Sequence, residues 1–106
     1  MTNVRIGVPR TAKRGEVLEV RTLIRHPMES GFRRDSRGQA IPRDILKVFT
    51  CHYNGVEVFR GEFFPAVAAN PYLTFYTKAT ESGELTFRWV DQRGEAVTET
   101  VAIEVS

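Results

Sequence analysis

The chain predicts an all-β domain, an immunoglobulin-like antiparallel β-sandwich of about seven strands. Three observations predict it. Apolar residues recur with a period near 2 rather than 3.6, turn residues punctuate the chain at short intervals, and no apolar stretch has the spacing of a helix longer than a turn or two. In such a sandwich two sheets bury alternate residues of each strand against one another. A small closed barrel satisfies the same periodicity and is the second choice.

Val4 to Val8 opens the chain as a strand. From Val17 to His26, Leu18, Val20, Thr22 and Ile24 alternate with Glu19, Arg21 and Arg25, which makes a strand buried on one face. Ile45 to Tyr53 puts Ile45, Phe49, Cys51 and Tyr53 on one face, while Leu46 and Val48 make the other face apolar near its start. This strand is expected to be covered on both faces. Asn54-Gly55 supplies the two positive-φ residues of a type I′ turn and predicts a hairpin into Val56 to Arg60. Leu73, Phe75, Thr77 and Ala79 share a face, Glu81-Ser82-Gly83 reads as the turn of a second hairpin, and Leu85, Phe87 and Trp89 line the inner face of the next strand. Asp91-Gln92-Arg93-Gly94 turns the chain into a last strand, Glu95 to Val105, with Val97, Val101, Ile103 and Val105 inward.

Two long segments fall outside this scheme, Pro27 to Asp44 and Phe63 to Pro71. Loops beyond about 12 residues are usually functional or disordered, and the aromatics and alanines of the second argue against disorder. Its alanines predict one helical turn, ended at Asn70-Pro71 because a residue before proline avoids the helical region. The first combines punctuation, an aromatic and charge in His26-Pro27-Met28-Glu29-Ser30-Gly31-Phe32-Arg33-Arg34-Asp35, and binding groups concentrate on such loops.

A length of 106 residues predicts a single domain, residues 1–106, and 42% hydrophobic with 26% charged residues is the composition of an ordinary globule. Such a chain buries roughly 65% of its unfolded surface and reaches stability without a disulfide or structural metal. The 15 basic residues are offset by 13 acidic ones, so the charge of +2 does not imply nucleic acid. Single-strand binding would want aromatics such as Phe59, Phe63 and Phe64 on an exposed face, and alternation buries some of these. No run approaches the roughly 18 apolar residues of a membrane span. Met1 to Arg10 lacks the apolar region of a secretory signal, so the chain by itself reads as cytoplasmic.

Catalytic, metal and cofactor sites are not expected. Cys51 lies mid-strand in register with Phe49 and Tyr53, where a free cysteine packs as a small hydrophobe. Its neighbour His52 points to the opposite face and does not activate it. His26, His52, Cys51 and Met28 are the ligand types of a blue-copper site, but the turn before the last strand, Asp91 to Gly94, holds none of them. His26 and Ser30 are close in sequence, yet nothing in it positions an acidic partner or an oxyanion hole. Arg25, Arg33, Arg34, Arg37 and Arg43 gather around the first loop against Glu29, Asp35 and Asp44. That is either a solvated loop or a surface for an anion or acidic partner, since guanidinium forks bind oxyanions in pairs.

Five ordered blocks carry a family resemblance: His26 to Asp35, Ala40-Ile41-Pro42-Arg43-Asp44, Phe49-Thr50-Cys51-His52-Tyr53-Asn54-Gly55, Phe64-Pro65-Ala66-Val67-Ala68-Ala69-Asn70-Pro71 and Phe87-Arg88-Trp89-Val90-Asp91. Over nearly its whole length the chain resembles the SoxZ family, the smaller subunits of the SoxYZ sulfur carrier complex. The resemblance implies a non-catalytic subunit of bacterial thiosulfate oxidation, paired with SoxY in a heterodimer of two immunoglobulin-like domains. In that family SoxY carries the sulfur intermediate on the cysteine of a C-terminal Gly-Gly-Cys-Gly-Gly arm and presents it to the other Sox enzymes, which dock transiently. The chain ends Ala102-Ile103-Glu104-Val105-Ser106 without such an arm. The resemblance also implies a periplasmic protein exported with SoxY, in place of the cytoplasmic reading. The candidates for partner contact are Phe63, Phe64 and Pro65 as an apolar patch, and Arg33, Arg34 and Arg43 toward an anionic adduct or an acidic enzyme surface. The competing reading is an independent immunoglobulin-like binding module, since this architecture hosts many functions.

Overall fold

The computed structural model describes residues 4–106. It contains eight strands: β1 Val4–Gly7, β2 Thr11–Ala12, β3 Val17–Ile24, β4 Leu46–Tyr53, β5 Val56–Glu62, β6 Tyr72–Lys78, β7 Gly83–Asp91 and β8 Ala96–Val105. They form two separate sheets, β1-β3-β6 and β2-β8-β7-β4-β5, which makes the architecture a sandwich and not a closed barrel. Pairing is antiparallel except for β2, which runs parallel to β8. This two-residue strand is the one the periodicity did not foretell, being too short for any alternation.

The expected inner faces are the buried ones. Leu18, Val20, Thr22 and Ile24 of β3 and Leu85, Phe87 and Trp89 of β7 are almost fully buried. Phe49 of β4 bridges the layers, its ring centroid 4.9 Å from Trp89 on its own sheet and 6.0 Å from Phe75 on the facing one. Each such aromatic, wholly removed from water, contributes roughly 1.5–3 kcal/mol. A bulge between Leu46 and Val48 advances the register of β4, so Leu46 and Phe49 are both buried. On the outer face Thr50 is also buried, lying in register between Arg60 of β5 and Arg88 of β7.

Asn54 and Gly55, with φ of 47° and 84°, form the expected tight turn between β4 and β5. The second expected hairpin does not form. β6 pairs with β3 while β7 pairs with β4 and β8, so residues 79–82 arch between sheets instead of joining neighbours. Alternation and a turn signal fit an arch as well as a hairpin, because the choice of pairing partner is not a local property. The arch is held by Tyr53, whose hydroxyl donates to Glu81 O and accepts from the N–H groups of Thr80 (3.2 Å) and Glu81 (3.1 Å). Both long segments are also crossovers, residues 25–45 leading from β3 to β4 and 63–71 from β5 to β6.

Candidate partner interface

Residues 29–44 are not structureless. Glu29 and Asp44 exchange both backbone hydrogen bonds at 2.8 Å, Ile41 N–H donates to Arg33 O, and Asp35 N–H donates to Gln39 O. The segment is therefore an irregular hairpin arm whose tip is tied by Asp35 Oδ1, which accepts from Arg37 N–H and Gln39 N–H.

The arm is anchored through Met28, which takes the left-handed conformation (φ 50°) and sinks its side chain into the core. A bulky residue adopts that conformation only when its surroundings impose it. Here His26 Nδ1 accepts from Met28 N–H at 3.0 Å, and Met28 Sδ accepts from Leu46 N–H at 3.3 Å. Since Nδ1 accepts, Nε2 carries the ring proton and faces Asp44 Oδ1 at 3.5 Å. An acidic partner for His26 thus exists, which sequence proximity did not reveal. Ser30, by contrast, is occupied in accepting from Phe32 N–H.

The second ply is clamped by Gln92 of the β7–β8 turn. Its amide oxygen accepts from Arg43 Nε (3.1 Å) and Ile45 N–H (3.2 Å), and its nitrogen donates to Arg43 O (2.9 Å). Arg93 lies 3.5 Å from Asp44 and 3.7 Å from Asp91, extending an ionic cluster across the base of the arm.

The three arginine candidates are exposed and each is held by a different acceptor. Arg33 pairs with Glu29, Arg34 Nη1 donates to Gly38 O at 2.7 Å, and Arg43 bonds Gln92. The hydrogen bond from Arg33 holds the Glu29 carboxyl below the ordinary carboxylate range. As placed, the arginines line the arm one by one rather than converging as a shared fork.

The apolar candidates divide. Phe63 is buried in the core, so it serves this chain's own packing and not an open contact. Phe64 is 62% exposed and Pro65 partly so, at a turn closed by Val67 N–H donating to Phe64 O. That single turn stands where a helical turn was expected. Asn70, at φ 54°, ends the segment, and its side chain and backbone clamp the backbone of His26. Two exposed aromatics escaped the sequence reading, Tyr72 and Tyr76 on β6, while Phe32, the aromatic expected on the arm, is exposed as well. The tyrosines occupy the solvent parity of an alternating strand, which was a visible signal.

Cys51 is fully buried and unbridged, and burial pushes its thiol up to about 12. Among the described residues no group of three His, Cys, Asp or Glu side chains is placed to hold a metal ion, and no helix is long and apolar enough to cross a membrane.

Fold and site together define a β-sandwich that presents a charged arm and open sheet edges around a sequestered thiol. The sulphur oxidation protein SoxZ family model matches residues 4–102, and the chain belongs to that family, within the Sox sulphur-oxidation system. Among solved structures, the sulfur carrier protein SoxY from Chlorobium limicola f thiosulfatophilum shares the fold at 12% identity and a TM-score of 0.67, covering 97% of this chain and 78% of that one. A superoxide reductase (neelaredoxin) from Ignicoccus hospitalis is similar at 20% identity and a TM-score of 0.73, with 99% and 82% covered. At these identities both likenesses speak for the fold alone. No curated protein matches.

Proposed function

We propose that this chain is the non-catalytic partner in a two-chain sulfur carrier, pairing with a SoxY-like subunit whose arm cysteine bears the intermediate. The observation that carries this reading is the state of Cys51 within a chain of the SoxZ family. Its side chain has no access to solvent and burial holds it in the thiol form, whereas the exposed thiolate is the form that takes up or transfers sulfur. The carrier sulfur then belongs to the other subunit. Phe64 and Pro65 supply apolar contact with that subunit, while Arg33, Arg34 and Arg43 face the anionic adduct or the acidic surfaces of transiently docking Sox enzymes. Function is in the periplasm, with export alongside the partner.

Co-expression with the SoxY-like subunit followed by size-exclusion chromatography tests the pairing, and a chain that elutes alone overturns it. Intact-mass analysis after thiosulfate loading tests the division of labour. The adduct is expected on the partner, unchanged by Cys51→Ala, and an adduct on Cys51 overturns the reading.

A further inference from the structure

The sandwich has two long edge strands, and both lie on one flank, because Phe59 of β5 stacks on Phe75 of β6 with centroids 4.4 Å apart and planes 8° from parallel. An open strand edge is a template for another strand, which folded proteins normally blunt with charges, bulges or cover. β5 is blunted. It carries Glu57, Arg60 and Glu62, and its register slips between Cys51 and His52 of its neighbour.

β6 has none of these devices. It pairs with β3 over seven residues without a register shift, and Lys78 is its one charged residue. Ile24 N–H donates to Pro71 O and Ala79 N–H to Glu16 O. Bonded pairs alternate along an antiparallel ladder, so Leu73, Phe75 and Thr77 bond β3 while Tyr72, Thr74, Tyr76 and Lys78 aim their N–H and C=O groups outward. No strand receives them among the described residues. The same four side chains are exposed, with Tyr72 at 57% and Tyr76 at 62%.

Resting on the pairing proposed above, we infer that the free edge of β6 accepts a β-strand from the SoxY-like subunit, apolar on one parity and acidic on the other. Charge selects this occupant. The outer face beside β6 carries Arg5, Arg21 and Lys78 against Glu19 alone, and Glu19 is taken up by Arg21 at 2.8 Å. A carboxylate on the added strand answers Lys78. Its apolar parity turns toward the flank between the sheets, where a cavity of about 400 Å³ is lined by Val67, Ala68, Ala69 and Leu73. A second copy fits less well, because two β6 strands paired about a two-fold axis bring lysines and no carboxylate. Strand addition gives affinity through main-chain bonds and specificity through alternate side chains.

Hydrogen exchange of the full chain, free and in the co-expressed complex, tests the inference. The Tyr72, Thr74, Tyr76 and Lys78 amides are expected to slow at least tenfold in the complex, and unchanged exchange there overturns it. Thr74→Pro removes an outward N–H without touching the β3 ladder, and the pair Tyr72→Lys with Tyr76→Lys charges the edge. Each is expected to weaken the complex at least ~30-fold, the scale of an interface hot spot, while Glu57→Lys on β5, away from the cavity, leaves it unchanged. A native chain that pairs while both edge variants bind equally well overturns the edge and leaves the pairing intact. A native chain that does not pair overturns both.

Discussion

The two ends of the sandwich are built from different interactions. At one end the β4–β5 turn and the 79–82 arch are locked by neutral bonds from Tyr53 and Asn54, with no room to spare. At the other, the arm rests on a half-buried cluster of Asp44, Asp91 and Gln92 rimmed by the exposed Arg43 and Arg93, with His26 half-buried beneath it. Part-buried backbone groups are costly to leave unpaired, whereas ion pairs made by solvent-exposed arginines contribute little. The first end therefore holds the sheets together, and the second can be remodelled by a partner at small cost to the fold.

Gly83→Ala breaks the comparison hardest at the locked end. An added Cβ would stand 1.8 Å from Asn54 Oδ1, the acceptor for Glu84 N–H, so the amide must leave and give up its bonds to Glu84, Glu81 and Ser82 together. Destabilisation of roughly 2–4 kcal/mol is expected, read by urea denaturation. Tyr53→Phe follows, deleting the hydroxyl that satisfies three backbone groups of the arch while leaving the ring in place. About 1–3 kcal/mol is expected, and a smaller loss would mean that water replaces the hydroxyl.

These two residues also mark how far the sequence could be read. Inner faces were legible because alternation is local: Leu18 to Ile24 and Leu85 to Trp89 followed from spacing alone. The Asn54-Gly55 turn was legible because its geometry demands those residues. Gly83 looked like a turn glycine, yet its requirement comes from Asn54, 29 positions away in the chain. The same blindness to distant partners turned an arch into a hairpin, hid Asp44 from His26, and offered Phe63 as an open contact when the core takes it up. Cys51 was legible as packing because its strand register already placed it beside Phe49 and Tyr53.

At the arm end, Gln92→Ala sharpens the contrast. It removes three hydrogen bonds that clamp Arg43 and Ile45, but two of the partners are exposed and water replaces much of what is lost. The expected global cost is about 1 kcal/mol, while amide exchange at residues 29–44 accelerates more than in the strands. Uniform acceleration would mean that the arm unfolds only with the whole domain.

The smallest effect is expected from acid. The hydrogen bond from Arg33 favours the charged form of Glu29, so its carboxyl value in the folded chain lies below the ordinary one. A group depressed in this way supports the folded arm above its unfolded value, about 4.3, and that support fades as pH falls through the lower folded value. Because Arg33 is exposed and the pair lies on the arm, the sheets should not register the loss: far-ultraviolet circular dichroism stays constant while the amide resonances of residues 29–34 shift only at a pH below the ordinary carboxylate range. Glu29→Gln should abolish that local titration and leave the melting temperature unmoved. A coincident loss of sheet signal would show instead that the ionic end holds the fold as tightly as the Tyr53 end does.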